Sequence, residues 1–149
     1  MKRIHKILKK NKYIKIKLKK IATNHLELKA KINGIKGSFI LDTGASNSCV
    51  GIDMISYFNL DATESETKAA GAGAVDMETQ QSENNLLKIG DWKTKKCHLV
   101  LFDLTHVNTA LTQHKAKEVH GIIGADILRK GKAFIDYNKN TLYLKKTKK

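Results

Sequence analysis

From Tyr13 onward the chain alternates apolar and polar residues. Ile14, Ile16 and Leu18 are separated by lysines; after a polar break at Thr23 and Asn24, Leu26, Leu28, Ala30 and Ile32 alternate with Glu27, Lys29 and Lys31. A period of two predicts strands with one buried and one wet face. Asn33-Gly34 predicts a two-residue hairpin turn. The return strand over Ile35–Leu41 ends in Phe39-Ile40-Leu41-Asp42-Thr43-Gly44-Ala45-Ser46, where three apolar residues lead into an acid, a hydroxyl and a glycine. A buried strand that ends this way presents a carboxylate at a tight turn. Asp42 is therefore the first candidate for chemistry. The plain alternative is a strand-to-turn connection in which Asp42 bonds its own backbone and Gly44 supplies a positive φ.

Further along, Ile52, Ile55, Phe58 and Leu60 are spaced loosely for a helical segment, with Asp53 as a possible N-cap. Residues 61–83 are polar and hold a run of small residues, Ala69, Ala70, Gly71, Ala72, Gly73 and Ala74, that fits either a linker or a hairpin with a movable tip. Order returns at Leu86, Leu87 and Ile89, Gly90-Asp91 makes a turn, and Cys97 to Phe102 form a strand apolar on most of both faces. Residues 103–119 are polar. Val119 to Leu128 reads as an apolar strand punctuated by Gly121 and Gly124, then a short helical turn that Gly131 could end. Ala133 to Tyr137 and Thr141 to Leu144 form two last strands around a turn at 138–140.

Composition narrows the classes. A chain of 149 residues with 41% hydrophobic content is sized for one globular domain. The formal charge of +14 suggests nucleic acid or a membrane surface until it is located. Of 28 basic residues, 10 fall in positions 1–20 and 4 in 145–149, both free of acids, so Ile21–Leu144 holds 14 basic residues against all 14 acidic ones. The organisation expected is a basic tail over 1–12, a domain over 13–144 and a basic tail over 145–149. Ile4, Ile7 and Leu8 could make residues 1–12 a short amphipathic helix that anchors weakly to anionic surfaces, but a solvated tail is the expected state. No secretory apolar segment and no membrane-length run is present, so the expected location is cytoplasmic. Cys49 and Cys97 lack metal or redox spacing and are expected as buried thiols. His98, His106, His114 and His120 match no metal-ligand spacing, so neither metal nor cofactor is expected.

Two stretches, Phe39-Ile40-Leu41-Asp42-Thr43-Gly44-Ala45-Ser46 and, some eighty residues later, Ile122-Ile123-Gly124, together resemble the retropepsin family of single-domain aspartic proteases, retroviral enzymes and their bacterial relatives. The resemblance covers roughly residues 13 to 144. It implies an all-β, closed barrel-like fold with one short C-terminal helix, in which Asp42 and Ile122 to Gly124 lie side by side. It also implies that Thr43 holds the active-site loop through a hydrogen bond across a dimer, that Gly44 lets the loop turn tightly with Ala45 and Ser46, and that Ala69 to Ala74 form a flap. Asp126 is expected to cap the short helix. The activity implied is peptide hydrolysis by a water held between two carboxylates, one protonated as acid and one ionised as base. The chain has a single Asp-Thr-Gly, so the second carboxylate must come from a second copy, which makes the expected partners the chain itself and a polypeptide substrate. The acidic residues around the flap are read as a solvated face, and the 103–119 insertion has no counterpart in the minimal retroviral domain. The alternatives are a non-catalytic peptide-binding or dimerisation module on the same fold, and contact of the lysine-rich tails with nucleic acid or an anionic membrane.

Overall fold

The computed structural model describes residues 2–64, 69–71, 74–77 and 79–146. The alternating stretches form strands at the expected places. Strands β1 (Tyr13–Lys17), β2 (Lys19–Lys20), β3 (Leu26–Ile32) and β4 (Ile35–Leu41) are followed by β5 (Cys49–Gly51) and a single 3-10 turn, Ile52–Met54. Then come β6 (Thr63–Glu64), β7 (Ala69–Gly71), β8 (Ala74–Met77), β9 (Gln80–Ile89), β10 (Trp92–Phe102), β11 (Gly121–Ile123), β12 (Phe134–Asp136) and β13 (Thr141–Lys145). Helices are α1 (Lys2–Lys10), α2 (Thr105–Gln113) and α3 (Ala125–Lys130).

The β3–β4 turn is made as its residues demand. Asn33 and Gly34 both adopt positive φ, 52° and 84°, a left-handed pair that matches the twist of the flanking strands. The main sheet runs β2-β3-β4-β11-β5-β10-β9-β6, and β9 pairs back onto β3, closing six strands into a barrel. Leu28, Ile32, Phe39, Val50, Leu87, Ile89, Leu99, Leu101 and Ile123 fill it, each at most 1% exposed. Full burial of such a side chain stabilises by about 1.5–3 kcal/mol, so the barrel interior is the main source of stability. A separate three-stranded sheet, β1-β13-β12, contributes Leu142 and Leu144 to the same core. The Trp92 indole N–H donates to the Lys145 carbonyl at 3.0 Å, which ties the two sheets together.

The pairing that matters for the site is the parallel one between β4 and β11, with Phe39, Ile40 and Leu41 beside Gly121, Ile122 and Ile123. Gly121 also lies against β5, where a Cβ would stand 2.2 Å from the Cys49 carbonyl oxygen. Only glycine fits there. The two stretches far apart in sequence thus lie side by side, as the resemblance implied.

Several expectations change. Residues 2–10 take up the short helix that Ile4, Ile7 and Leu8 allowed, α1, which is exposed at most positions but buries Leu8 and sets the His5 ring 6.0 Å from the Tyr143 ring. No helix forms over 52–60; the 3-10 turn starts from Gly51 with no side-chain cap, so Asp53 does not serve as one. Beyond the 3-10 turn the chain turns irregularly, the Phe58 N–H donating to the Met54 carbonyl at 3.1 Å and the Leu60 N–H to the Ile55 carbonyl at 2.9 Å, and both side chains enter the core. The polar 103–119 stretch contains a helix, α2, packed over an outer cluster of Ile40, Cys49, Val100, Phe102, Leu104, Leu111, Val119 and Ile122. Between linker and hairpin, the small-residue run is hairpin: β7 pairs antiparallel with β8, Gly71 opposite Ala74. Ala72 and Gly73 lie outside the described residues. Among the described residues no helix is long and apolar enough to cross a membrane.

Candidate active site

β4 delivers Asp42 to the surface because its last three residues, Phe39, Ile40 and Leu41, are all buried and the chain must then turn. Asp42 is exposed, and its backbone N–H donates to the Ile123 carbonyl at 2.9 Å, continuing the β4–β11 ladder. The Gly44 N–H donates to Asp42 Oδ1 at 2.9 Å, and the Ala45 N–H to the Asp42 carbonyl at 3.2 Å. The local bond of a plain turn is therefore present, but Gly44 is not among the residues with positive φ. One carboxylate oxygen is held from below, leaving the rest of the group open to the solvent side.

The loop is fastened from behind by α3. The Ala125 N–H donates to the Ala45 carbonyl at 2.7 Å. Gly124 passes so close that a Cβ would sit 2.5 Å from that same Ala45 oxygen. Beneath, the fully buried Ser48 hydroxyl donates to Asp126 Oδ1 at 2.7 Å and accepts the Gly124 N–H at 2.8 Å, while the Ser48 N–H reaches both Asp126 oxygens at 3.0 Å. Gly124, where α3 begins, makes no side-chain cap, and Asp126 Oδ1 accepts the Ile127 N–H of the first turn at 2.8 Å, so Asp126 serves the helix start as expected while also binding the loop. Its carboxylate is turned to the loop because Ser48 offers it two donors there.

Asp42 opens onto a cavity of about 630 Å3. Ile40 and Ile122 line it from the barrel, Thr23 and His25 from the β2–β3 connection, and His106, Val107, Ala110, Leu111 and His114 from α2. Sequence reasoning missed this wall, although Leu104, Val107 and Leu111 repeat at helical spacing. It also missed Ser48, whose role depends on a residue 78 positions away. Thr43 faces elsewhere, exposed on a separate depression of about 380 Å3 with Ala125, Leu128, Arg129, Lys132, Ala133 and Ile135. Ser46 is exposed, and Ala45 is half-buried.

Of the candidate histidines, His106 and His114 line the Asp42 cavity beside His25, while His98 and His120 are not part of that lining. His114 Nδ1 donates to the Ala110 carbonyl at 2.9 Å, His120 Nδ1 accepts the Ser38 N–H at 3.0 Å, and His98 Nε2 lies 3.1 Å from Gln81 Oε1. Among the described residues, no three His, Cys, Asp or Glu side chains are grouped to hold a metal ion. Cys49 and Cys97 are buried free thiols. Burial pushes both up to about 12, so they stay protonated and inert at neutral pH.

A family model described as aspartyl protease matches residues 28–127, from within β3 to the middle of α3, and takes in both halves of the site. The chain belongs to the aspartyl protease family. No curated protein sequence matches it. Among solved structures, this aspartyl protease is similar to a retropepsin-like aspartic protease from Rickettsia conorii, at 20% identity and a TM-score of 0.60 over 89% of each chain. It is similar to EIAV protease solved with an inhibitor, at 19% identity and a TM-score of 0.55, covering 75% of this chain and 92% of that one. It is also similar to the retroviral protease-like domain of Ddi1 from Leishmania major, at 16% identity and a TM-score of 0.53, covering 80% and 87%. These likenesses establish a retropepsin-like fold.

Proposed function

We propose that this aspartyl protease is an endopeptidase that works as a homodimer, with Asp42 from each copy forming the catalytic pair. The observation that carries the reading is the placement of Asp42: an exposed carboxylate at a strand exit, on the edge of the 630 Å3 cavity, in a loop held by Gly44, Ala45 and the start of α3. A rigidly held carboxylate facing a cavity is what a general acid or base requires.

One carboxylate alone cannot both deprotonate the water and protonate the carbonyl oxygen. Two brought within a few ångströms cannot both ionise, so one keeps a proton and the pair supplies base and acid together. The base takes a proton from water as its oxygen attacks the peptide carbon, and the acid gives its proton to the carbonyl oxygen. Collapse of the tetrahedral species then breaks the C–N bond as the nitrogen is protonated. Thr43, exposed beside Asp42, is the residue that would bridge the two copies. The β7–β8 hairpin, Ala69 to Ala74, would serve as the flap, and an extended polypeptide would lie between it and Asp42, held by backbone hydrogen bonds. The second motif, Ile122, Ile123 and Gly124, would act as the support of the loop. Buried, unpaired Cys49 and Cys97 fit a reducing compartment, hence the cytoplasm.

The test is cleavage of a mixed peptide library from pH 3 to 8 by wild type and Asp42→Asn, with sedimentation of the same samples. Cleavage by a dimeric wild type that vanishes in a dimeric Asp42→Asn is the expected result. Cleavage retained by Asp42→Asn, or a wild type that stays monomeric and inactive throughout, would overturn the proposal.

A further inference from the structure

Equal numbers of acids and bases between Ile21 and Leu144 conceal how the barrel sorts them. Lys36 on β4 pairs in register with Lys31 on β3, Lys31 with Lys88 on β9, and Lys88 with Lys93 on β10. Directly opposed residues of antiparallel strands project to the same face, so four lysines stand in one row across four adjacent barrel strands. All four are exposed, while Ile32, Leu87, Ile89 and Trp92, next to them along the strands, are fully buried. The row is therefore on the outside of the barrel. Measured along the curved barrel wall at the usual interstrand spacing, it runs about 14 Å. Lys29, two residues from Lys31, extends it on one side, donating to Ser38 Oγ at 2.6 Å and pairing with Glu27 at 3.2 Å. Lys29, Lys31, Lys36 and Lys88 border a depression of about 540 Å3 that also includes Asp91 at the β9–β10 turn.

Like charges directly opposed on neighbouring strands destabilise a sheet. The fold needs only polar residues at these positions to keep the face wet, so barrel closure does not account for four lysines in register. We propose that this face binds the phosphate backbone of nucleic acid.

Three features select that occupant. A nucleic acid strand carries a charge about every 3.4 Å, so each lysine finds a phosphate whatever the register. The depression that the row borders is lined by no aromatic or arginine side chain, the anchors that dominate protein–protein interfaces, where lysine is depleted. Lysine ammonium groups are mobile point charges that contact phosphates without reading bases, so the binding is independent of sequence. Lys36 precedes Asp42 by six residues of strand, about 20 Å. Nucleic acid on the row leaves the Asp42 cavity open and would act as a tether.

The experiment is fluorescence anisotropy of a labelled 30-base-pair duplex with the full chain, between 50 and 200 mM salt. It compares wild type, the row variant Lys31→Gln/Lys36→Gln/Lys88→Gln/Lys93→Gln, and a control that removes the same number of charges from α1, Arg3→Gln/Lys6→Gln/Lys9→Gln/Lys10→Gln. The row variant is expected to lose at least about tenfold in affinity and about 3.6 from the slope of log K against log salt, at roughly 0.9 per lost phosphate contact. The α1 control should stay within about threefold of wild type. Thermal melting of the row variant should match or exceed wild type, since repulsion has been removed; this separates lost binding from lost folding. The proposal is overturned if the row variant binds like wild type, or if both variants weaken equally, which would make net charge the cause. It is also overturned if wild type ignores the duplex at 50 mM salt, with co-sedimentation on phosphatidylglycerol vesicles then marking the face as a lipid surface.

Discussion

The Ser48 hydroxyl donates to Asp126 Oδ1 at 2.7 Å, and through this bond the loop that carries Asp42 is held to helix α3. Ser48→Ala removes both that donor and the acceptor of the Gly124 N–H in a fully buried position. A buried polar group left without its partner costs about 1–3 kcal/mol. Urea unfolding should show a loss in that range, with peptide cleavage reduced further than stability because the loop is no longer anchored. Asp126→Asn retains an acceptor for the Ser48 N–H and should cost less, about 1 kcal/mol.

Gly121→Ala forces a Cβ to within 2.2 Å of the Cys49 carbonyl oxygen and 3.0 Å of the Phe39 ring. Neither neighbour can yield, since one is sheet backbone and the other is fully buried. Overpacking of this kind costs about 1–3 kcal/mol or more, and a marked drop in melting temperature is expected. A variant that melts with wild type would show that β5 and β11 are not packed this closely.

Ala110→Phe places a ring from α2 in the cavity beside Asp42. Peptide cleavage should weaken at least tenfold, chiefly through KM, with melting within about 2 °C of wild type. Unchanged kinetics would mean that substrate does not enter this cavity.

The thiols make a pH prediction. Both free cysteines are pushed up to about 12 by burial, from an ordinary value of 9.0. Below pH 9 the thiols are protonated in both folded and unfolded chains, and stability does not depend on them. Between pH 9 and 12 the unfolded chain loses these protons while the folded chain keeps them, so stability falls as pH rises, by up to about 1.4 kcal/mol per pH unit for each thiol. Urea unfolding of wild type and Cys49→Ala/Cys97→Ala across this range should show the shallower decline in the double variant.

Much of the site's outline was legible because it is local. The Phe39-to-Ser46 stretch announces a buried strand ending in a carboxylate, and Asp42 sits at such an end. Asp126 was legible only in part, because its bond to the Ile127 N–H is local, whereas nothing nearby in sequence reveals that Ser48 offers it two further donors. Helix α2 was obscured by its polar residues, His106, Asn108, Thr109 and Thr112, which outnumber the apolar stripe that packs.

The sequence by itself determined the alternating strands on either side of Asn33-Gly34, that turn, and the position of Asp42 at a strand end, because alternation and turn chemistry are set by backbone geometry within a few residues. Tertiary structure decided which strands became neighbours. Only barrel closure puts Ile123 beside Leu41, sets α2 over the cavity at Asp42, and aligns Lys36, Lys31, Lys88 and Lys93 in one row around the outside. A charge count along the chain sees a neutral domain, whereas strand register, fixed by how the whole barrel fills its core, gathers its lysines into a row.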